Sequence, residues 1–105
     1  MASYDTIADF KTGDSFKVGH TIASGDFKTA TIDTSSDLGA SLASPSNLTA
    51  TNFIANGATL VTVSGGTAMG RYLVINDATD TFSSSADAVI KLSGAAAVAN
   101  TNFIV

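Results

Sequence analysis

Residues 5–18 read DTIADFKTGDSFKV, and the rest of the chain is organised around this stretch. It combines three aspartates with two short runs in which apolar and polar side chains alternate. Such alternation is typical of a β-strand with one buried face, so strands are predicted at residues 4–10 and 15–18. Gly13 lies between the two runs and can adopt the positive φ that many turns require. Two arrangements fit this pattern, a hairpin and a single bent extended segment.

Downstream of this stretch, the chain is predicted to be rich in short strands. β-Branched and apolar runs predict strands at residues 28–32, 58–63, 71–75, 88–92 and 101–105. The run at 71–75 is apolar after its first residue, which indicates a central strand buried on both faces. The strand at 58–63 is expected to form a hairpin with it. The apolar end at 101–105 is expected to dock in a sheet, because a loose strand would promote aggregation.

One helix is predicted near residues 35–44. The residues from Asp33 to Ser36 are good N-cap types, and Asp37 would lie in the first turn. Leu38 and Leu42 are one turn apart, and Pro45 ends the element. Together with the strands, this predicts one domain over residues 1–105 that is mainly β. We expect a small β-sandwich or β-roll of about six to eight short strands with one short helix.

Composition excludes several classes of protein. The chain has 105 residues, of which 45% are hydrophobic, so it can form a core and disorder is not expected. The net charge is −4 and Arg71 is the single arginine, which argues against nucleic acid as a partner. Cysteine is absent, which excludes disulfides and thiolate metal sites. No apolar run approaches the roughly 20 residues of a membrane span, and Asp5 and Asp9 interrupt any signal-peptide pattern.

No catalytic constellation is evident, and the chain is predicted not to be an enzyme. His20 is the single histidine, and it has no cysteine or second histidine as a partner for zinc binding. Serine is plentiful, but no Gly-x-Ser-x-Gly nucleophile motif occurs. The glycines in Ser64-Gly65-Gly66 are not followed by Gly-Lys-Ser/Thr, so they predict a loop and not a phosphate site.

The first group of candidate metal ligands lies in the opening stretch. Calcium binds six to eight oxygen atoms, many of them from carboxylates. At strand spacing Asp5 and Asp9 would be about 13 Å apart, which is too far for one ion. Asp9 and Asp14, on either side of the Gly13 turn, are therefore the better candidate pair for calcium.

The second group lies in the polar loop at residues 76–87. Asp77 and Asp80 would fit a compact turn beside Asn76, and Asp87 could return from the next strand. Neither group has the spacing or the closing glutamate of an EF-hand. The alternative interpretation for both groups is that the aspartates form turns and cap loops.

The opening stretch is also similar to a known family. Asp5-Thr6-Ile7-Ala8-Asp9-Phe10, followed by Gly13-Asp14, resembles the segment after the glycine-rich calcium repeats of RTX (haemolysin-type) secreted bacterial proteins. The remainder looks closest to one branch of that group, the bluetail domain of bacterial surface proteins. Short blocks in matching order carry this likeness: Asp37-Leu38 with Leu42, and residues 55–58, 72–78, 87–94 and 101–105.

The resemblance implies a C-terminal domain of a secreted or cell-surface protein. Such domains lack catalysis, are linked to calcium, and are associated with type I secretion through an uncleaved C-terminal signal. The chain departs from the family in holding no Gly-Gly-x-Gly-x-Asp repeat, so the calcium β-roll itself is missing. The resemblance implies an upstream β-roll or the export machinery as the partner. Calcium would neutralise clustered aspartates outside the cell, whereas the low-calcium cytoplasm would leave the chain less folded and exportable.

A second hypothesis belongs to a different functional class. The chain would be a stand-alone structural accessory protein that decorates a larger assembly, such as a surface layer or a virus particle. Phe103, Ile104 and Val105, or an edge strand, would then contact the partner, and self-association is compatible with this role. The first hypothesis places the protein outside the cell or at the cell surface. The second allows a virus particle as the alternative location.

Overall fold

A computed structural model describes residues 5–8, 10–11, 14–18, 22–49, 51–78, 82, 87–93 and 97–104. This part of the chain forms seven strands and one α-helix: β1 (Asp5–Ile7), β2 (Phe16–Lys17), β3 (Phe27–Ile32), α1 (Leu38–Ala43), β4 (Ala58–Val63), β5 (Gly70–Ile75), β6 (Ala88–Leu92) and β7 (Phe103–Ile104). Short 3₁₀ turns at Ser24–Asp26 and Asn100–Asn102 lead into β3 and β7. The predicted mainly β fold with one short helix is confirmed.

The strands form two sheets. Five strands make the larger sheet in the order β1-β6-β5-β4-β3, and β2 and β7 make the smaller one. β5 is the middle strand of the larger sheet, as its apolar sequence predicts, and it pairs antiparallel with both β4 and β6. The predicted hairpin is therefore the β4–β5 pair. Three other pairs are parallel: β3 with β4, β1 with β6, and β2 with β7.

Alternate residues of β5 face two separate cores. Tyr72 and Val74 lie on one face of the larger sheet and Leu73 on the other, and all three are fully buried. The first face packs against α1 and the loop after it, and we call this the helix-side core. The second face packs against the smaller sheet, and we call this the inter-sheet core. The larger sheet is thus covered on both faces, which gives a small sandwich.

Helix α1 is shorter than predicted, although Leu38 and Leu42 are buried as expected. Asp37 is the N-cap and not a first-turn residue, and its Oδ1 accepts a hydrogen bond from the Ala40 amide at 3.2 Å. Ser35, two residues before Asp37, is instead hydrogen-bonded to the turn between β4 and β5. The Ser35 amide donates to Gly65 O at 3.1 Å, and Ser35 O accepts from the Ala68 amide at 2.9 Å. These bonds to the β4–β5 turn hold Ser35 outside the helix.

The two described strands of the opening stretch do not form a hairpin with each other. β1 lies at an edge of the larger sheet, whereas β2 lies in the smaller sheet, so the two strands do not pair with each other. The first predicted strand is described over Asp5–Ile7, while residues 4, 9 and 13 lie outside the described residues.

The C-terminal run docks in a sheet, as predicted. β7 pairs in parallel with β2, with Phe103 opposite Phe16. In the part of the chain described by the structure, no helix has the length and apolar character needed to cross a membrane.

Candidate functional site

Asp14, from the first predicted calcium group, is exposed and forms part of a turn. Its Oδ2 accepts a hydrogen bond from the Lys11 amide at 2.9 Å, and its own amide donates to Lys11 O at 3.0 Å. Side-chain bonds of this kind are typical of turn-forming aspartates. Asp9 and the side chain of Asp5 lie outside the described residues. Calcium binding by Asp9 and Asp14 therefore stays a prediction.

The structure brings together two aspartates of the second group. The β5–β6 hairpin pairs Ile75 with Ala88, so Asp77 and Asp87 lie just beyond the paired ends of the two strands. The Asp77 amide donates to Asp87 Oδ1 at 2.9 Å. Asp87 is buried and Asp77 is partly buried. Asp80 lies outside the described residues, so its predicted place in this group stays a prediction.

Asn76 is a buried polar residue at this end of the sheet, with only 2% of its surface exposed. Its backbone amide donates to Gly57 O at 2.9 Å, and its side-chain Nδ2 donates to Ile54 O at 3.1 Å. Its side-chain oxygen Oδ1 is buried and has no hydrogen-bond partner. Because buried polar atoms are nearly always hydrogen-bonded, this oxygen marks the site as unusual.

The geometry of the described residues does not by itself form a metal cage. No cluster of three acidic or histidine side chains suited to a metal ion occurs among them. The contact that the structure shows between the predicted ligands of the second group is the bond from the Asp77 amide to Asp87 Oδ1. His20 lies outside the described residues, and Ser64-Gly65-Gly66 lies in the predicted loop between β4 and β5.

Of the predicted partner-binding residues, Phe103 is described most fully. It is 5% exposed and lies between two other rings of the inter-sheet core. Its ring centroid is 5.5 Å from that of Phe16 and 5.7 Å from that of Phe27. Ile104 is described only as part of β7, and Val105 lies outside the described residues. Partner binding by this end of the chain stays a prediction, and Phe103 itself packs inside the chain.

Strands from the first part of the chain pair with strands from its last part in both sheets. We call β1 and β2 the N-terminal track and β6 and β7 the C-terminal track; β1 pairs in parallel with β6, and β2 pairs in parallel with β7. Asp5 pairs with Ile90 in the larger sheet, and Phe16 pairs with Phe103 in the smaller one. Each track therefore contributes one strand to each sheet, next to a strand of the other track.

A repeated tetrapeptide, not noted above, makes the same local hydrogen bond on both faces of the larger sheet. Thr-Asn-Phe-Ile occurs at residues 51–54 and again at 101–104. Asn52 Oδ1 accepts from the Thr49 amide at 2.6 Å, and Asn102 Oδ1 accepts from the Ala99 amide at 2.8 Å. In each copy the next residue is a buried phenylalanine, one in each core. The identical letters are the signal that could have revealed this correspondence.

Comparison with known proteins adds no relative. No family model matches the chain, and neither the curated proteins nor the solved structures contain a match.

Proposed function

We propose that the chain is a non-catalytic structural domain of a secreted or cell-surface protein, where it caps a stack of parallel β-coils. The observation that carries this proposal is the parallel pairing of the N-terminal track with the C-terminal track in both sheets. Successive coils of a β-solenoid are neighbours in the same way, because each coil contributes one strand to every sheet.

Among the described strands, none pairs with the outer side of the N-terminal track, so a further coil could stack there. β1 is the last strand at one edge of the larger sheet, and no third strand of the described chain joins β2 and β7. Ile7 O accepts a hydrogen bond from the Ser93 amide at 3.0 Å, so the polar groups of Ile7 face β6. Backbone groups of successive strand residues point in opposite directions within a sheet. The amide and carbonyl of Thr6 therefore point to the open side.

The resemblance of residues 5–14 to the lead-out of RTX repeats agrees with this role. In that setting the preceding coils would be a calcium-loaded β-roll that ends at β1, and the chain would leave the cell by type I secretion. An exposed sheet edge invites pairing with other chains. Stacking on an upstream coil would cover the β1 edge, which is the physical benefit of a cap.

The test is a fusion of glycine-rich calcium repeats in front of residue 1, followed by amide hydrogen exchange. In the fusion with calcium, the Thr6 amide should exchange more slowly than in the isolated chain, because it gains a partner. The Ile7 amide should be protected in both proteins. Equal exchange of Thr6 in the two proteins would contradict the cap proposal.

A matched pair of variants sharpens this test. Thr6→Pro removes an amide that points outward, so it should preserve the β1–β6 pairing but prevent stacking on an upstream coil. Ile7→Pro removes an amide that faces β6 and should destabilise the isolated domain itself. Identical behaviour of the two variants in the isolated chain would contradict the assigned direction of the Thr6 amide.

The opposite edge of the larger sheet supports a second candidate function, a free-standing accessory protein on a larger assembly. β3 is six residues long and pairs only with β4 among the described strands. Ile32 O accepts from the Ser64 amide at 2.9 Å, so by alternation the polar groups of Thr29 and Thr31 point outward. An extended segment of a partner, or of a second copy, could add to this edge as a further strand.

Light scattering coupled to size-exclusion chromatography tests the self-assembly form of this function. A concentration-dependent oligomer that is lost in Thr31→Pro would support pairing through β3. The Thr62→Ala variant, on the neighbouring strand, should leave the oligomer intact. A monomer at every concentration would contradict self-association through this edge.

A further inference from the structure

β3 is an edge strand without the features that usually protect the edge of a sheet. Soluble proteins protect such edges with short strands, prolines, bulges or several charges. β3 has six residues and no proline, and it pairs with β4 at every residue without a bulge. Lys28 is the single charged residue of the strand. The edge is therefore well suited to accept a further strand along its whole length.

The outward backbone groups of β3 are arranged symmetrically about Thr29. Ile32 O accepts a hydrogen bond from the Ser64 amide, so the polar groups of Ile32 face β4. By alternation, the amides and carbonyls of Phe27, Thr29 and Thr31 point to the other side, where none of the described strands pairs with β3. A two-fold axis at Thr29 would therefore place each outward residue opposite an outward residue of a second, antiparallel β3.

We propose that two copies of the chain form a dimer through antiparallel pairing of their β3 strands, with Thr29 of one copy opposite Thr29 of the other. Phe27 of each copy then pairs with Thr31 of the other copy. Each of these three pairs exchanges two hydrogen bonds, which gives about six between the copies. The proposal rests on the second candidate function, since it uses the same edge, and it adds the partner, the strand direction and the register.

Charge and strand length favour this register over the neighbouring ones. An axis at Lys28 would place two lysines directly opposite each other, which is unfavourable. An axis at Ala30 would place Phe27 opposite Asp33, which lies beyond the end of β3, so the outer hydrogen bonds would be lost. With the axis at Thr29, Lys28 lies opposite Ala30 of the other copy.

The β1 edge of a second copy is a poorer partner for β3. β1 has three residues, and Thr6 is the one whose backbone groups point outward, so a β3–β1 pair would form only about two hydrogen bonds. That contact is also head-to-tail and would add copy after copy without closing. Pairing of β3 with β3 closes the dimer and joins two five-stranded sheets into one. Both β1 edges then lie at the outer ends, where each can still accept an upstream coil.

Cysteine substitutions test the register, because the chain contains no cysteine of its own. Thr29 and Thr31 are both exposed, so changing either side chain should leave the fold intact. Opposite residues of a hydrogen-bonded antiparallel pair have Cα atoms about 5.5 Å apart, which suits a disulfide. Thr29→Cys should therefore form a disulfide-linked dimer with oxidised glutathione. Thr31→Cys is the matched control and should not, because the two Thr31 positions lie about 14 Å apart along the strands.

Charge substitutions test the same axis without a covalent bond. Thr29→Lys and Thr29→Asp should each weaken the dimer severalfold in light scattering, because like charges then face each other. An equal mixture of these two variants should recover the dimer, because opposite charges then face each other. Thr31→Lys should weaken it less, since its two charges would be separated by more than a Debye length of about 8–10 Å.

Two outcomes would overturn the dimer itself, and a third would overturn its register. A chain that stays monomeric at every concentration, or a mixture of Thr29→Lys and Thr29→Asp that does not recover the dimer, would contradict pairing at this axis. A monomer would leave the strand of a different partner as the occupant of β3 under the second candidate function. Disulfide formation in Thr31→Cys but not in Thr29→Cys would overturn the register and retain self-association through β3. The hydrogen-exchange test of Thr6 reads out the cap function separately.

Discussion

Replacing Phe103 with alanine should destabilise the whole domain, because this ring links the two ends of the chain. It is 5% exposed and contacts the rings of Phe16 and Phe27, at centroid distances of 5.5 and 5.7 Å. Phe16 in turn contacts Phe10 at 5.0 Å. Removing the ring therefore opens a cavity in the inter-sheet core and breaks a chain of aromatic contacts.

The expected loss is about 3 kcal/mol of unfolding free energy, at the lower end of the range for buried phenylalanines, because a two-stranded sheet can partly collapse around the cavity. The two aromatic pairs account for about 0.5–1.5 kcal/mol each. A domain of this size typically has about 5–15 kcal/mol in total. The variant should thus remain folded at room temperature, with a melting temperature lowered by roughly 12–24 °C.

Urea denaturation followed by circular dichroism measures the loss, and Phe16→Ala in a double-mutant cycle isolates the ring pair. We expect a coupling of about 0.5–1.5 kcal/mol between Phe16 and Phe103. Met69→Ala is the control, because Met69 is 58% exposed and its loss should change stability by less than about 0.5 kcal/mol. If Phe103→Ala cost less than about 1 kcal/mol, the packing argument would be refuted, and a role for Phe103 in partner contact would be favoured.

Three further changes test other parts of the structure. Tyr72→Phe should cost about 1 kcal/mol in thermal or urea unfolding, because the buried hydroxyl donates to Ala68 O at 2.8 Å; an unchanged midpoint would argue against that bond. Gly66→Ala should cost more than about 2 kcal/mol, since its φ is +84° and a Cβ would meet Ser35 O. The exposed Gly25, with open space around its Cβ position, should tolerate alanine in the same assay. Asp37→Ala should cost about 1 kcal/mol through loss of the α1 cap, whereas Asp37→Asn should retain most of the stability.

Most strands were predictable because they depend on residues that are close in sequence. The strands at 58–63 and 88–92 have the predicted bounds, and the central position of β5 follows from its continuous apolar run. The alternation of side chains within a strand determines its two faces wherever it pairs. The helix was predicted with extra residues at its start, because the bonds from Ser35 to the β4–β5 turn are contacts between distant segments.

The sequence predicted which residue types the candidate site contains, but not which of them meet. The loop from Asn76 to Asp87 is visibly rich in oxygen ligands, but its sequence does not indicate which of them meet. The register of β5 against β6 places Asp87 beside Asp77, and the Ile54 carbonyl orients the amide of Asn76. The importance of Asn76 thus depends on an oxygen left without a donor, which is a property of the packed structure.

Residues 5–18 also show which features depend on local sequence and which depend on tertiary structure. Its sequence predicted two short strands and a turn between them. Only the tertiary structure decided that the strands enter different sheets and that each pairs in parallel with the far end of the chain. The physical reason is that backbone groups bond equally well to any partner strand. Local alternation therefore defines a strand, whereas its partner is selected by burial of Phe10, Phe16 and Phe103 in one shared core.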